Sequence, residues 1–171
     1  MIKITKISHN LAYQQSGVAA VEFAIVAMLL FTLLFGIIEF GRLFYVINSV
    51  QEVTRRAARE AVVRWTDGQV DVKKLALFNA TNSLPAGAEI TSGSITIDYL
   101  NKSGGPSSPY PATPSDNVAE CLSSSNSCIA YVRVSITGVT YAPMVSLFPY
   151  FNVPIPTSTV IMHAESMGYS G

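Results

Sequence analysis

One carboxylate in this chain sits where its surroundings oppose it. Glu22 is the only charged residue between positions 18 and 38, a run reading VAAVEFAIVAMLLFTLLFGII. About 20 apolar residues are what a helix needs to cross the hydrocarbon core of a bilayer. An acid deep in such a span costs on the order of 2.5 to 3.5 kcal/mol, so it is paired, placed near water, or used. Two chemistries fit Glu22. It can hold an ammonium group in low dielectric, where the attraction is strong, or it can reach back within about a turn to the headgroups. Cys121 and Cys128 form the second reactive set, around the polar run LSSSNS. Their closeness favours a local disulfide that stabilises by roughly 2.5 kcal/mol in the chain-entropy model. Two free thiols are the alternative. The spacing does not suit a zinc knuckle, and neither His9 nor His163 is near in sequence. Serines are plentiful but none stands in a nucleophile-elbow pattern, and no triad-like spacing surrounds either histidine. Asp98, Asp116 and Glu120 are read as solvated acids. The expectation is a protein that is not an enzyme and has no cofactor and no metal.

What precedes the span sharpens the question of Glu22. Lys3 and Lys6 are basic, no acid occurs before Glu22, and the polar stretch ends at Gly17. A secretory signal has a shorter apolar region with its small-residue cleavage site behind it; here the candidate cut lies in front. Gly17, followed by a glutamate at the fifth position of what remains, is similar to the prepilin peptidase site of type IV pilin-like proteins. More narrowly, GVAAVEFAIVAMLLFTLLFGIIEFGRLFYV, with Arg55, Ala57, Ala58 and Arg59 beyond it, resembles the TadE-like family, minor pseudopilins of tight-adherence pilus systems. The residues carrying the resemblance are Gly17, Glu22, Phe23, Gly36, Glu39, Gly41 and Arg42. It implies cleavage between Gly17 and Val18, and pairing of Glu22 with the new Val18 amine of a neighbouring subunit. The implied partners are a prepilin peptidase, other pilins and pseudopilins met through the N-terminal helix, the pilus assembly machinery, and membrane lipid. A different class stays open: an unprocessed single-pass anchor whose extracytoplasmic domain binds a partner without polymerising. Glu22 discriminates, because an anchor gains nothing from it.

Composition suits a membrane-anchored exported protein. Apolar residues make up 49% of the chain and charged ones 13%, with a formal net charge of zero, which leaves nucleic-acid binding without an electrostatic footing. Orientation is contested within the sequence. Arg42, Arg55, Arg56 and Arg59 follow the span where only Lys3 and Lys6 precede it, and a raw count would keep the C-terminus in the cytoplasm. Long domains translocate largely regardless of charge, and a cysteine pair suits an oxidising compartment. The reading is therefore a bacterial inner-membrane protein with its C-terminal domain periplasmic or extracellular.

These groups need a scaffold. Residues 1–17 read as a removable leader and 18–66 as one long helix, transmembrane over 18–38 and then amphipathic. Its apolar stripe comprises Glu39, Arg42, Leu43, Val46, Ile47, Val50, Val53, Thr54, Ala57, Ala58, Ala61 and Val62, near the 3.6-residue period, with Asp67-Gly68 as the stop. Glu39 and Arg42 are taken as an ordinary surface pair worth a few tenths of a kcal/mol. Residues 67–171 predict an α+β domain: a short helix over 70–83, strands over 94–100, 130–141 and 157–166, and a Gly/Ser/Pro-rich loop over 101–127. The proline- and aromatic-rich segment 142–156 either packs under the sheet or is exposed for a partner. The fold class expected is α+β, a long N-terminal helix on a small antiparallel sheet, pilin-like.

Overall fold

The computed structural model describes residues 11–79, 83–144, 151–165 and 167–168, with residues 11–16 described by their backbone alone. The long helix α1 runs Leu11–Val63 without a break, 53 residues or about 80 Å at 1.5 Å per residue. It starts seven residues earlier than the sequence suggests and stops short of Asp67-Gly68. Trp65 is extended (φ −67°, ψ 162°) and a 3-10 turn, Thr66–Gly68, follows it.

The two halves of α1 bury different things. No part of its most apolar 18-residue window is covered by the rest of the chain. From Glu39 onward one face is buried, through Leu43, Val46, Val50, Val53, Thr54, Ala57, Ala58, Ala61 and Val62. That is the predicted stripe almost residue for residue. The alanines let the sheet approach the helix backbone closely, and the Thr54 hydroxyl satisfies itself on the Val50 carbonyl at 2.7 Å.

A three-stranded antiparallel sheet lies on this face, in the order β3 (Ile95–Leu100), β4 (Tyr131–Ile136), β7 (Ser158–His163). Central β4 turns Val132, Val134 and Ile136 inward, and β3 adds Ile95, Ile97 and Tyr99. On the outward face Asp98 stands directly opposite Arg133 and pairs with it at 2.9 Å, so this half-exposed acid has a cross-strand partner. Helix α2, Gln69–Ala76, packs on α1 through Val72 and Ala76. A hairpin, β1 (Ser83–Leu84) with β2 (Gly87–Thr91), precedes β3 and buries Leu84 and Ile90.

Three predicted elements are corrected. The helix expected over 70–83 ends at Ala76, and Ser83 belongs to β1. The strand expected over 130–141 is two strands in different sheets: β4 ends at Ile136, Gly138 takes φ +70°, and β5 (Thr140–Tyr141) pairs instead with β6 (Val153–Pro154). Glycine adopts that left-handed conformation without a Cβ penalty, so the chain turns toward α1 there. The loop expected over 101–127 contains a helix, α3, Pro114–Leu122. Thr113 caps it, accepting from the Asp116 amide at 3.2 Å while Asp116 accepts from the Thr113 amide at 3.1 Å. Pro114 at the first helical position completes a helix start that TPSD spelled out. Buried Asn117 exchanges hydrogen bonds with the backbone of Ile129, accepting its N–H at 2.7 Å and donating to its carbonyl at 3.3 Å.

Candidate functional site

Sequence-predicted residues fall into three places along the molecule. At the bottom, Gly17, Val18, Glu22 and Phe23 lie on exposed helix. A Cβ at Gly17 would meet nothing within 4 Å; Phe23 is 74% exposed. Among the described residues Glu22 has no ion-pair or hydrogen-bond partner. Val18 and Glu22, one turn apart, share a face.

At the far end, the sulfurs of Cys121 and Cys128 are bonded, with Cα atoms 4.7 Å apart. This ties the end of α3 to the start of β4. The neighbouring Ala130 carbonyl accepts from Ala164, and Glu165 donates to Val62, so this end of the sheet meets the C-terminus of α1. The disulfide is a distal staple far from the span.

The middle site is where the structure corrects the sequence reading most. Glu39 and Arg42 are not a surface pair. Both point into the domain, where the side chains of Glu39, Arg42 and Glu89 are only 6%, 13% and 10% exposed. The Arg42 guanidinium grips Glu89 with both ends of its fork, Nη2 to Oε1 at 2.8 Å and Nη1 to Oε2 at 3.3 Å. Nη2 also donates to the Ala142 carbonyl. Nε is in ionic contact with Glu39 at 3.5 Å without hydrogen-bond alignment, and the guanidinium carbon lies 4.3 Å above the Tyr141 ring. The fully buried Tyr141 hydroxyl donates to the Glu39 carboxylate, sharing its proton with the Glu39 carbonyl at 3.1 Å. The Met144 amide donates to Glu39 at 3.2 Å and the Ala142 amide to Glu89 at 3.4 Å.

Electrostatics follow from this geometry. Burial, and then the bond to Glu39, push the Tyr141 hydroxyl up to about 12. Burial works to lower the Arg42 pKa, but the bonds and charge of Glu89 outweigh it and the pKa rises. The guanidinium therefore stays charged, and the phenol neutral, at any physiological pH. Nothing here is a nucleophile, and among the described residues no cluster of His, Cys, Asp or Glu could hold a metal. What the site does is mechanical: it clasps the helix, just past the span, to β2 and β5.

Beside the clasp, Gly36, Glu39, Phe40 and Phe151 line an apolar cleft of about 230 Å³. Phe151 meets Phe40 edge-on at 5.8 Å between centroids. The segment 142–156 is thus divided: Ile155 is buried, Phe151 is 38% and Met144 76% exposed, and residues 145–150 lie outside the described residues. Gly41 points to open space, away from Glu39 and Arg42.

Glu39 and Arg42 fall on the apolar stripe, where charges on a buried face require partners, but their spacing of three reads as an ordinary surface pair and hides that signal. The partners Glu89 and Tyr141 were not found: AGAEIT and GVTY carry no motif, and Tyr141 comes to α1 only after the Gly138 turn.

The same stretch of helix carries a family signature. Residues 17–59 match the TadE-like protein family. The match takes in Gly17, Glu22, the whole span, Glu39 and Arg42, and it ends four residues before α1 does. No curated protein and no solved structure matches the chain. The TadE-like segment is that of a family associated with the tight-adherence pilus, whose members are structural and assembly components. Among the described residues one helix is long and apolar enough to cross a membrane, and the TadE-like match, about a quarter of the chain, lies on it.

Proposed function

We propose that this chain is a minor pseudopilin, inserted as a precursor, cut between Gly17 and Val18 by a prepilin peptidase, and assembled with other pilins through α1 as part of a tight-adherence pilus or its assembly machinery. The observation that carries the reading is the state of Glu22. It stands on exposed helix, five residues after Gly17, where the TadE-like match begins, and has no partner among the described residues of its own chain. Cleavage creates an ammonium at Val18. A neighbouring subunit's ammonium can neutralise the carboxylate in low dielectric, and because that amine exists only after the cut, processing licenses assembly. The C-terminal domain then lies on the periplasmic or outer side of the inner membrane.

The test is the intact mass and N-terminal sequence of the protein from native membranes, with and without co-expressed prepilin peptidase. A terminus at Val18 that depends on the peptidase supports processing; an intact Met1 in both preparations refutes it and leaves a permanent anchor. Replacing Glu22 with Ala should then leave insertion intact and abolish incorporation into the pilus complex.

A further inference from the structure

The apolar run of α1 ends at Ile38, yet the C-terminal domain does not begin above that level. Phe151 packs against Phe40 and shares a cleft with Gly36, a residue inside the run. The Met144 amide bonds to Glu39, one residue past it. Two residues more than a hundred positions downstream are therefore held at the height where the span leaves the hydrocarbon. Both keep apolar surface outward, Met144 at 76% and Phe151 at 38% exposure, beside Phe40 at 54%, Phe44 at 61% and Tyr45 at 41%. Phe40 lies about 3 Å and Phe44 about 9 Å beyond Ile38 along the helix, within or just at the edge of the headgroup layer, where aromatic rings concentrate.

We propose that the underside of the C-terminal domain is itself a membrane-binding surface. Phe151 and Met144 insert with Phe40 at the boundary between acyl chains and headgroups of the leaflet on the domain's side, while Phe44 and Tyr45 stand among the headgroups. The occupant is lipid because this patch is continuous with the lipid-facing surface of the span. The clasp gives the patch its fixed height: Glu39 holds Met144 and Tyr141, and Arg42 holds Ala142, so the loop leaving β5 cannot rise without breaking it. The inference rests on residues 18–38 lying in a bilayer, as in the function proposed above, but not on cleavage or assembly.

The experiment places single tryptophans in the full chain, reconstituted in phosphatidylcholine/phosphatidylglycerol vesicles carrying bromines either near the headgroups or near the chain ends. Phe151→Trp and Met144→Trp are made on a Trp65→Phe background. Leu29→Trp on that background reports the span itself, and native Trp65, at the far end of the helical arm roughly 40 Å away, reports the distal domain. Phe151→Trp and Met144→Trp should lose most of their emission to shallow bromines and less to deep ones, Leu29→Trp should show the reverse order, and Trp65 should be unquenched. Unquenched emission at both Phe151→Trp and Met144→Trp, with Leu29→Trp quenched, overturns the proposal; if that emission is blue-shifted, a protein covers the patch instead. An unquenched Leu29→Trp removes the span and the proposal with it. Met144 stands outside the Phe40–Phe151 contact, so its variant reports even if Phe151→Trp disturbs the cleft.

Discussion

Replacing Arg42 with Met tests whether the clasp holds the domain to the helix. Methionine keeps the length and apolar stem of the side chain but removes the charge, the two bonds to Glu89 and the bond to Ala142. Glu89 and Glu39 would remain, each with a side chain no more than 10% exposed, and with no cation between them. Removing one partner of a buried pair costs about 3 to 5 kcal/mol, mostly from the charge left behind. For a domain of this size that lowers the melting midpoint by on the order of 10 to 20 °C. The assay is thermal or urea unfolding of the full chain in nanodiscs, read by the fluorescence of Trp65, which packs against the core. A companion variant, Glu39→Gln/Arg42→Met/Glu89→Gln, leaves no charge in the site and should recover a large part of the loss, because the penalty belongs to the orphaned carboxylates and not to the missing arginine. A loss below about 1 kcal/mol for Arg42→Met, the range of an exposed pair, would refute the reasoning.

Three further outcomes follow from the same structure. Tyr141 titrates near 10 when unfolded and at about 12 when folded; in that window the unfolded chain releases its proton first, so stability falls as pH rises from about 10 to 12 and the contribution is fully present below about 10. Unfolding of wild type and Tyr141→Phe across that range should show this extra slope in wild type alone. Cys121→Ser/Cys128→Ser should lose roughly 2.5 kcal/mol in urea unfolding, with hydrogen exchange rising first around α3 and the start of β4. Asp98→Asn should cost less than about 1 kcal/mol by the same assay, since its pair with Arg133 is exposed on the outer face of the sheet.

Much of the fold was legible wherever one physical signal dominated. The stripe from Leu43 to Val62 repeats at helical period, so the buried face of α1 could be written down in advance, and the alternation in SITIDYL and TSTVIMH gave β3 and β7. Where two signals competed, the reading failed. Serine, glycine and proline around α3 read as loop, although Thr113, Pro114 and Asp116 form a helix start. The valines and isoleucines on both sides of Gly138 read as one strand, although a single residue at φ +70° sends β5 to another partner. The site failed in the same way. Glu39 and Arg42 stand three apart, which is a common surface pairing, and only the tertiary path of β2 and β5 brings Glu89 and Tyr141 onto them.

Glu22 and Glu39, both in the TadE-like segment, stand 17 residues apart, about 26 Å along a helix, close to the thickness of the hydrocarbon core. Their environments are opposite. Glu39 is met within its own chain by Arg42, Tyr141 and Met144, so folding alone compensates its burial. Glu22 has no such compensation among the described residues, and no fold of the C-terminal domain could supply it, because the intervening helix is continuous and the domain is fastened at the other end. A carboxylate that folding leaves uncompensated is one that association can compensate, with a free energy available only between chains. The clasp adds a constraint that an unfastened helix would lack: with the domain fixed to Glu39 and Arg42 and its underside at the lipid boundary, the depth of Glu22 is set relative to the domain. In the function proposed above, subunits that match their domains side by side would bring their helices into one register, and that register would decide whether a Val18 amine reaches a neighbour's Glu22.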